Sequence, residues 1–226
     1  MILKAAILGC LAYFGGGVLV HRVVLPEPGP EEWDHPQAGQ VIENRFAGER
    51  IVIEQSRDDT DGQSVLLHLT LSPQGAVPAA HVHPNLDERF TVLSGTLMIR
   101  LGREDRILQA GEQLLVSRKT AHQPYNPFSE PAEVQVEIIP PGNMDVCLAQ
   151  LHGYLGAGDK PRSGVRTALQ MAVMARDCDL YLAGPPVFLQ KAGIFLLSPT
   201  ARLLGHHPFD PRYNAQTLPT HDHEVP

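Results

Sequence analysis

Between Val41 and Pro140 apolar and polar residues alternate in short runs, and turn formers cut each run off. This pattern constrains the chain more than any other feature. Arg50–Gln55 and Ser64–Leu71 alternate with period two, which places Val65, Leu67, Leu69 and Leu71 on one face and Leu66, His68 and Thr70 on the other. Glu88–Leu93, Thr96–Leu101, Asp105–Leu108, Glu112–Val116 and Glu133–Ile139 repeat the pattern, with Ser94-Gly95 and Gly102-Arg103 as turns at hairpin spacing. Short strands with no helical period between them predict a β-sandwich or barrel. The chain of 226 residues is long enough for one such core and short for two. Its 20 glycines and 20 prolines favour turns over a helical bundle.

The flanks read differently. Within the hydrophobic segment 1–25, residues 5–25 form a nearly continuous apolar run, preceded by Lys4 and interrupted by His21 and Arg22. That length is close to the ~20 residues a bilayer crossing needs, and Gly15-Gly16-Gly17 disfavours a water-exposed helix. The run is therefore expected to be a single-pass membrane anchor of undetermined orientation, ahead of a cleaved signal peptide or a buried helix. Residues 26–40 (four prolines in PEPGPEEWDHPQAGQ) read as a linker. After the strand region at 41–140, residues 141–205 predict a helical extension packed outside it. Its helices are MDVCLAQLHGYLG, capped by Asn143, then Val165–Ala175, then a segment from Val187 that ends at Pro199. Residues 206–226 read as a flexible His- and Pro-rich tail. Cys10, Cys147 and Cys178 lie far apart without a CxxC, and suggest neither a zinc ribbon nor a disulfide framework. With 18 basic against 25 acidic residues and a net charge of −7, no nucleic-acid partner is expected.

Chemistry concentrates in two stretches. The first is Gly75-AVPAA-His81-Val82-His83-PNLD-Glu88-RFTVLS-Gly95, and the second is Gly111-EQLLVSRKTA-His122-QPY-Asn126. His81 and His83 are two apart, so on a strand both imidazoles share a face, and the turn formers Pro84, Asn85 and Asp87 let Glu88 return beside them. Three imidazoles and a carboxylate suit a first-row divalent ion.

The first stretch resembles the first cupin motif, G-x5-H-x-H-x4-E-x6-G, at every fixed position. The second resembles the second motif, G-x5-P-x-G-x2-H-x3-N, with Ser117 and Lys119 where the motif has Pro and Gly. The resemblance implies a mainly β chain whose small double-stranded β-helix, a cupin or jelly-roll barrel, spans residues 41–140. It also implies metal ligation by His81, His83, Glu88 and His122, with iron, manganese, nickel or zinc as the ion. It further implies pairing of two copies. The expected activity is that of an oxidoreductase (dioxygenase), isomerase or similar enzyme on a small oxygen-rich organic molecule, and no residue is singled out as catalytic. A non-catalytic small-molecule binding or sensory module is the alternative. Phe90 and Val92 are expected beside Glu88 as pocket wall or core. His68, Arg100 and Tyr125 are expected in structural, solvent or packing roles, and His152 on the first helix after the strands lies away from the site.

Overall fold

The structure, a computed structural model, describes residues 2–19, 23 and 33–217. Among them the strands form two sheets. The seven-stranded sheet runs β12-β1-β2-β3-β10-β5-β8, and the five-stranded sheet runs β11-β4-β9-β6-β7. The strands are β1 Gln40–Asn44, β2 Glu49–Gln55, β3 Val65–Leu71, β4 His81–Val82, β5 Asp87–Ser94, β6 Thr96–Leu101, β7 Glu104–Gln109, β8 Gln113–Val116, β9 His122–Tyr125, β10 Ala132–Ile139, β11 Tyr181–Leu182 and β12 Gln216–Thr217. The helices are α1 Ile2–Leu19, α2 Met144–Gly156, α3 Val165–Met174 and α4 Val187–Leu203.

Alternation in β3 and β10 translates directly into burial. Val65, Leu67, Leu69 and Leu71 are buried, as are Ala132, Val134, Val136 and Ile138, and their polar neighbours face outward. The two strands pair antiparallel in register, with Val134 opposite Leu69, and β10 also pairs with β5. Leu97 and Ile99 of the second sheet join the same core as Val92, Val134 and Val136 of the first, so the sheets pack against one another on a shared apolar interior. Each such side chain contributes roughly 1.5–3 kcal/mol by leaving water. Neither sheet closes on itself: the first ends at β12 and β8, and the second at β11 and β7. The chain is thus mainly β, with two packed sheets and flanking helices, and not one continuous closed sheet.

The turn at Gly95 shows why glycine is needed there. It has φ +74°, and a Cβ at this position would lie 2.2 Å from the carbonyl oxygen of Pro131. Left-handed backbone costs a non-glycine residue about 1–2 kcal/mol, and the overlap with main-chain atoms adds to it. Gly95→Ala is expected to lower stability by at least about 2 kcal/mol, measured as a shift of the urea midpoint at unchanged slope.

Several expectations for the flanks are corrected. Among the described residues no helix is long and apolar enough to cross a membrane. Over its described residues α1 is 18 residues long, about 27 Å of helix. The hydroxyl of Tyr13 donates to the carbonyl of Leu196 on α4 and lies 3.3 Å from the Thr200 hydroxyl, which ties α1 to the helical extension. The expected membrane anchor, membrane partner and membrane localisation are therefore withdrawn. Residues 20–22 and 24–32, which hold the rest of the apolar run and the first seven residues of the expected linker, lie outside the described residues.

The C-terminal part of the expected linker is packed against the fold. Trp33 is buried and stacks on Phe209 at 6.3 Å between ring centroids, and His35 Nδ1 lies 2.8 Å from Asp145 Oδ2 at the start of α2. The residues after 206, expected as a tail, carry a 3-10 turn at Pro211–Tyr213 and strand β12, which pairs with β1. His221 and His223 lie outside the described residues.

α2 and α3 fall where helical spacing places them, within one residue at α3. α4 runs through Pro199 to Leu203 instead of stopping there. Proline removes one amide donor, but Ser198 Oγ donates to the Ile194 carbonyl and Ala201 and Arg202 are buried beyond it, so packing holds the last turn. The cysteine reading is also corrected: Cys147 of α2 and Cys178, C-terminal to α3, form a disulfide across 31 residues. Spacing in the sequence carries no signal for such a pair, because two folded helices bring it together.

Candidate metal centre

The site lies where the two sheets meet. β4 and β9 of the five-stranded sheet pair with His81 directly opposite His122. His83 comes one residue after β4, and Glu88 comes from β5 of the other sheet, opposite Ile138 and Val116. The loop between His83 and Glu88 is thus the crossover that brings a carboxylate to the imidazoles. Among the described residues, these four form the cluster of metal-ligating side chains, each offering one donor atom, with all donors within 4.8 Å of one another. All four are buried.

Orientation is set by the backbone. The Nδ1 atoms of His81, His83 and His122 lie 2.8, 3.0 and 3.0 Å from the carbonyl oxygens of Ala79, Asp179 and Thr120. A carbonyl only accepts, so each Nδ1 carries a proton and donates it. Each Nε2 is left to point toward the shared centre, which is how metal-ligating histidines are commonly held.

Crowding shapes the electrostatics. Burial, with help from the neighbouring imidazoles, pushes His81 down to about 3, so it is neutral at physiological pH. Burial likewise lowers His83, outweighing the attraction of Glu88. Burial alone would raise Glu88, yet His83 and the hydrogen bond from His122 hold it down at about 2. His122 Nε2 lies 2.6 Å from Glu88 Oε2, and this contact raises the His122 pKa against the opposing effect of burial. A buried carboxylate thus faces three imidazoles of which one bears the compensating proton. A divalent cation can take that proton's place and satisfy all four donors. The donor set contains no sulfur, which suits iron, manganese, nickel or zinc.

The remaining residues of interest are distributed around the two sheets. Phe90 is buried with its ring 6.2 Å from that of His122, and Val92 is in the core. Arg100 is exposed and paired with Asp105 at 2.9 Å, and Tyr125 packs beside it on the outer face, 2.6 Å from Met98 Sδ. His68 lies on the outside of the seven-stranded sheet, 2.6 Å from Glu133 and 3.2 Å from Glu54. Asn126 fits the second motif but acts as a clamp: its amide donates to the carbonyls of Leu71, Ser72 and Glu130, and its oxygen accepts from Phe128. Lys119, which stands where the motif has glycine, keeps the left-handed backbone with φ 69°, and its amide donates to the His83 carbonyl at 2.7 Å. Lys119→Gly is expected to raise stability by up to about 1 kcal/mol. The relieved strain of about 1–2 kcal/mol exceeds the added chain entropy of about 0.5–1 kcal/mol, and thermal unfolding checks it.

The family model of the cupin domain matches residues 67–139, the stretch that supplies all four side chains. Residues 67–139 are a cupin domain. This cupin domain is similar to parts of many solved structures. The crystal structure of TT1209 from Thermus thermophilus is 25% identical, covering 35% of this chain and 74% of that one, with a TM-score of 0.33. A sugar phosphate isomerase from a cupin superfamily, from Silicibacter pomeroyi, is 19% identical over 50% of this chain and 75% of that one, with a TM-score of 0.38. A predicted oxalate decarboxylase from Thermotoga maritima is 18% identical over 47% of this chain and 98% of that one, with a TM-score of 0.41. No curated protein matches the chain.

The sequence reading missed two contributions to this cupin domain's site. One is the carbonyl support under each imidazole, a backbone feature with no residue signature. The other is β11, which adds Tyr181 opposite Val82 and Leu182 opposite His81 at the edge of the ligand-bearing sheet.

Proposed function

We propose that this cupin domain binds a divalent first-row metal ion through His81, His83, Glu88 and His122, and acts on a small oxygen-rich organic molecule there. The observation that carries the reading is the shared orientation of three buried imidazoles. Each Nδ1 donates to a backbone carbonyl, and each Nε2 is turned toward one buried carboxylate. A histidine placed only for packing has no need of this arrangement, and three at once on one sheet, facing a carboxylate from the other, form a chelating set.

Bound there, the ion would supply Lewis acidity toward a carbonyl or hydroxyl oxygen, or redox chemistry if it is iron. The protein's own part is to hold three imidazoles and one carboxylate in place before metal or substrate arrives, with His122 giving up the proton it shares with Glu88 as the ion enters. The low pKa values of His81 and Glu88 keep both in ligating form at neutral pH.

The test is elemental analysis of the purified full-length protein after exposure to iron, manganese, nickel and zinc and then dialysis. Turnover is then assayed over a panel of hydroxy acids, sugar phosphates, phenols and carbonyl compounds. Close to one ion per chain with turnover is expected. Metal with tight ligand binding but no turnover would replace the enzyme with a binding or sensory module, and no retained metal would remove the reading altogether.

A further inference from the structure

Asp179 lies outside the cupin domain, between α3 and β11, yet it touches the site from behind at two points. Its carbonyl accepts from His83 Nδ1 at 3.0 Å. Its carboxylate accepts from the backbone amide of Asn85 at 2.6 Å and from the Asn85 side-chain amide at 2.7 Å. The residue sits at φ 48°, a left-handed conformation that Asp tolerates better than most residues. Two elements fix where it sits. On its C-terminal side β11 pairs with β4. On its N-terminal side Cys178 is buried and joined to Cys147 of α2. A carboxylate and a carbonyl thus hold the segment His83–Asn85, and a cross-link adjoins the residue that supplies both.

We propose that Asp179 is a positioning residue for His83 and that the Cys147–Cys178 disulfide holds it in place, so that the helical extension is a working part of the metal site. The proposal rests on the metal reading above. His83 Nε2 is available to an ion only while Nδ1 carries the proton and the ring is held from turning; the Asp179 carbonyl does both, and its carboxylate, bound to both Asn85 amides, together with the disulfide keeps that carbonyl under the ring. Losing such an outer partner typically lowers metal affinity by about 10–100-fold.

The experiment uses the full chain and four variants: Asp179→Gly, Asp179→Asn, the pair Cys147→Ser with Cys178→Ser, and the three substitutions Asp179→Gly, Cys147→Ser and Cys178→Ser together. Asp179→Gly keeps the left-handed backbone and removes the carboxylate. Asp179→Asn restores an oxygen that can accept from the Asn85 amide. Co2+ affinity is read from its visible absorption, and the His83 tautomer is read by long-range 1H–15N NMR in the metal-free protein. Circular dichroism on each sample shows whether it has folded.

Asp179→Gly and the serine pair are expected to bind Co2+ about 10-fold or more weakly, and His83 is expected to lose its pure Nδ1–H signature. Asp179→Asn should stay within about 3-fold of wild type. The triple variant should bind little worse than either parent, because both changes act through one contact. If the serine pair fails to fold, Asp179→Gly alone carries the test. If wild type binds Co2+ and Asp179→Gly matches it within twofold with an unchanged tautomer, the positioning role is wrong while the metal reading stands. If wild type binds no Co2+ but Asp179→Gly still changes the His83 tautomer, the metal reading is wrong and the positioning role stands.

Discussion

His122→Ala is expected to weaken divalent-metal binding by at least about 100-fold, more than the loss of an outer partner, because it removes one of four donors outright. His122 has a second role that sharpens the result. In the metal-free protein its Nε2 shares a proton with Glu88 across 2.6 Å. A cation must displace that proton, so wild-type affinity should fall as pH drops below the raised His122 pKa, by about tenfold per pH unit for one proton. Glu88 titrates at about 2 and His81 at about 3, too low to contribute near neutrality. In His122→Ala the residual affinity should lose most of this slope. The fold should survive, because the core holding β4, β5 and β9 together is built from other residues such as Val92, Leu97 and Val134. Isothermal titration at several pH values, with circular dichroism alongside, checks both parts. Equal affinity in His122→Ala and wild type would remove His122 from the ligand set. His207→Ala, at an exposed position, is the appropriate comparison.

His152→Leu is expected to destabilise the fold by about 3–5 kcal/mol, a fall in Tm on the order of 10 °C for a chain of this size. His152 is on α2, but it is buried and faces Glu49 of β2, with Nε2 and Oε2 3.1 Å apart and side chains 3% and 1% exposed. Its Nδ1 donates to the Leu148 carbonyl. Removing the imidazole leaves a buried carboxylate without its partner, which is the costly half of breaking such a pair. Replacing both with leucine should recover most of the loss. The pair also predicts a pH effect. Burial would lower the His152 pKa, but Glu49 raises it above the ordinary value of 6.5. The folded state therefore holds this proton more tightly than the unfolded chain. Its contribution is fully present below about pH 6.5 and is lost as pH rises through the folded value. Urea unfolding at pH 6 and pH 9 should show this decline in wild type and not in Glu49→Gln. A midpoint for His152→Leu within experimental scatter of wild type would show that the pair contributes nothing.

His152 shows where reading the chain stops. Helical spacing places it on α2, but nothing in that spacing says that α2 packs on β1 and β2 and brings an acidic residue to meet it. A histidine that looks remote and replaceable from the sequence is thus part of the core. Cys147 and Cys178, Trp33 and Phe209, and β11 with β4 are further cases. Each joins segments far apart in the chain, and no local pattern announces such a contact. The apolar run at 5–25 misleads for a related reason: its hydropathy suggests a span, while among the described residues no helix is long and apolar enough for one, and Tyr13 of α1 bonds to α4.

The sequence by itself determined what depends on neighbours within a few residues. Period-two alternation specified β3, β5, β6 and β10 and which of their side chains are buried, because a strand sends successive side chains to opposite faces whatever surrounds it. The spacing of His81, His83 and Glu88 determined that two imidazoles and a carboxylate arise on one strand–turn–strand unit. The need for glycine at Gly95 was legible because a tight turn restricts the backbone locally. Only the tertiary structure decided that His122 lies opposite His81, that three carbonyls orient three imidazoles, and that one of those carbonyls belongs to Asp179, ninety-six residues from the ring it holds. These depend on how two sheets and a helical extension pack, and packing is set by the summed burial of the whole core rather than by any one segment.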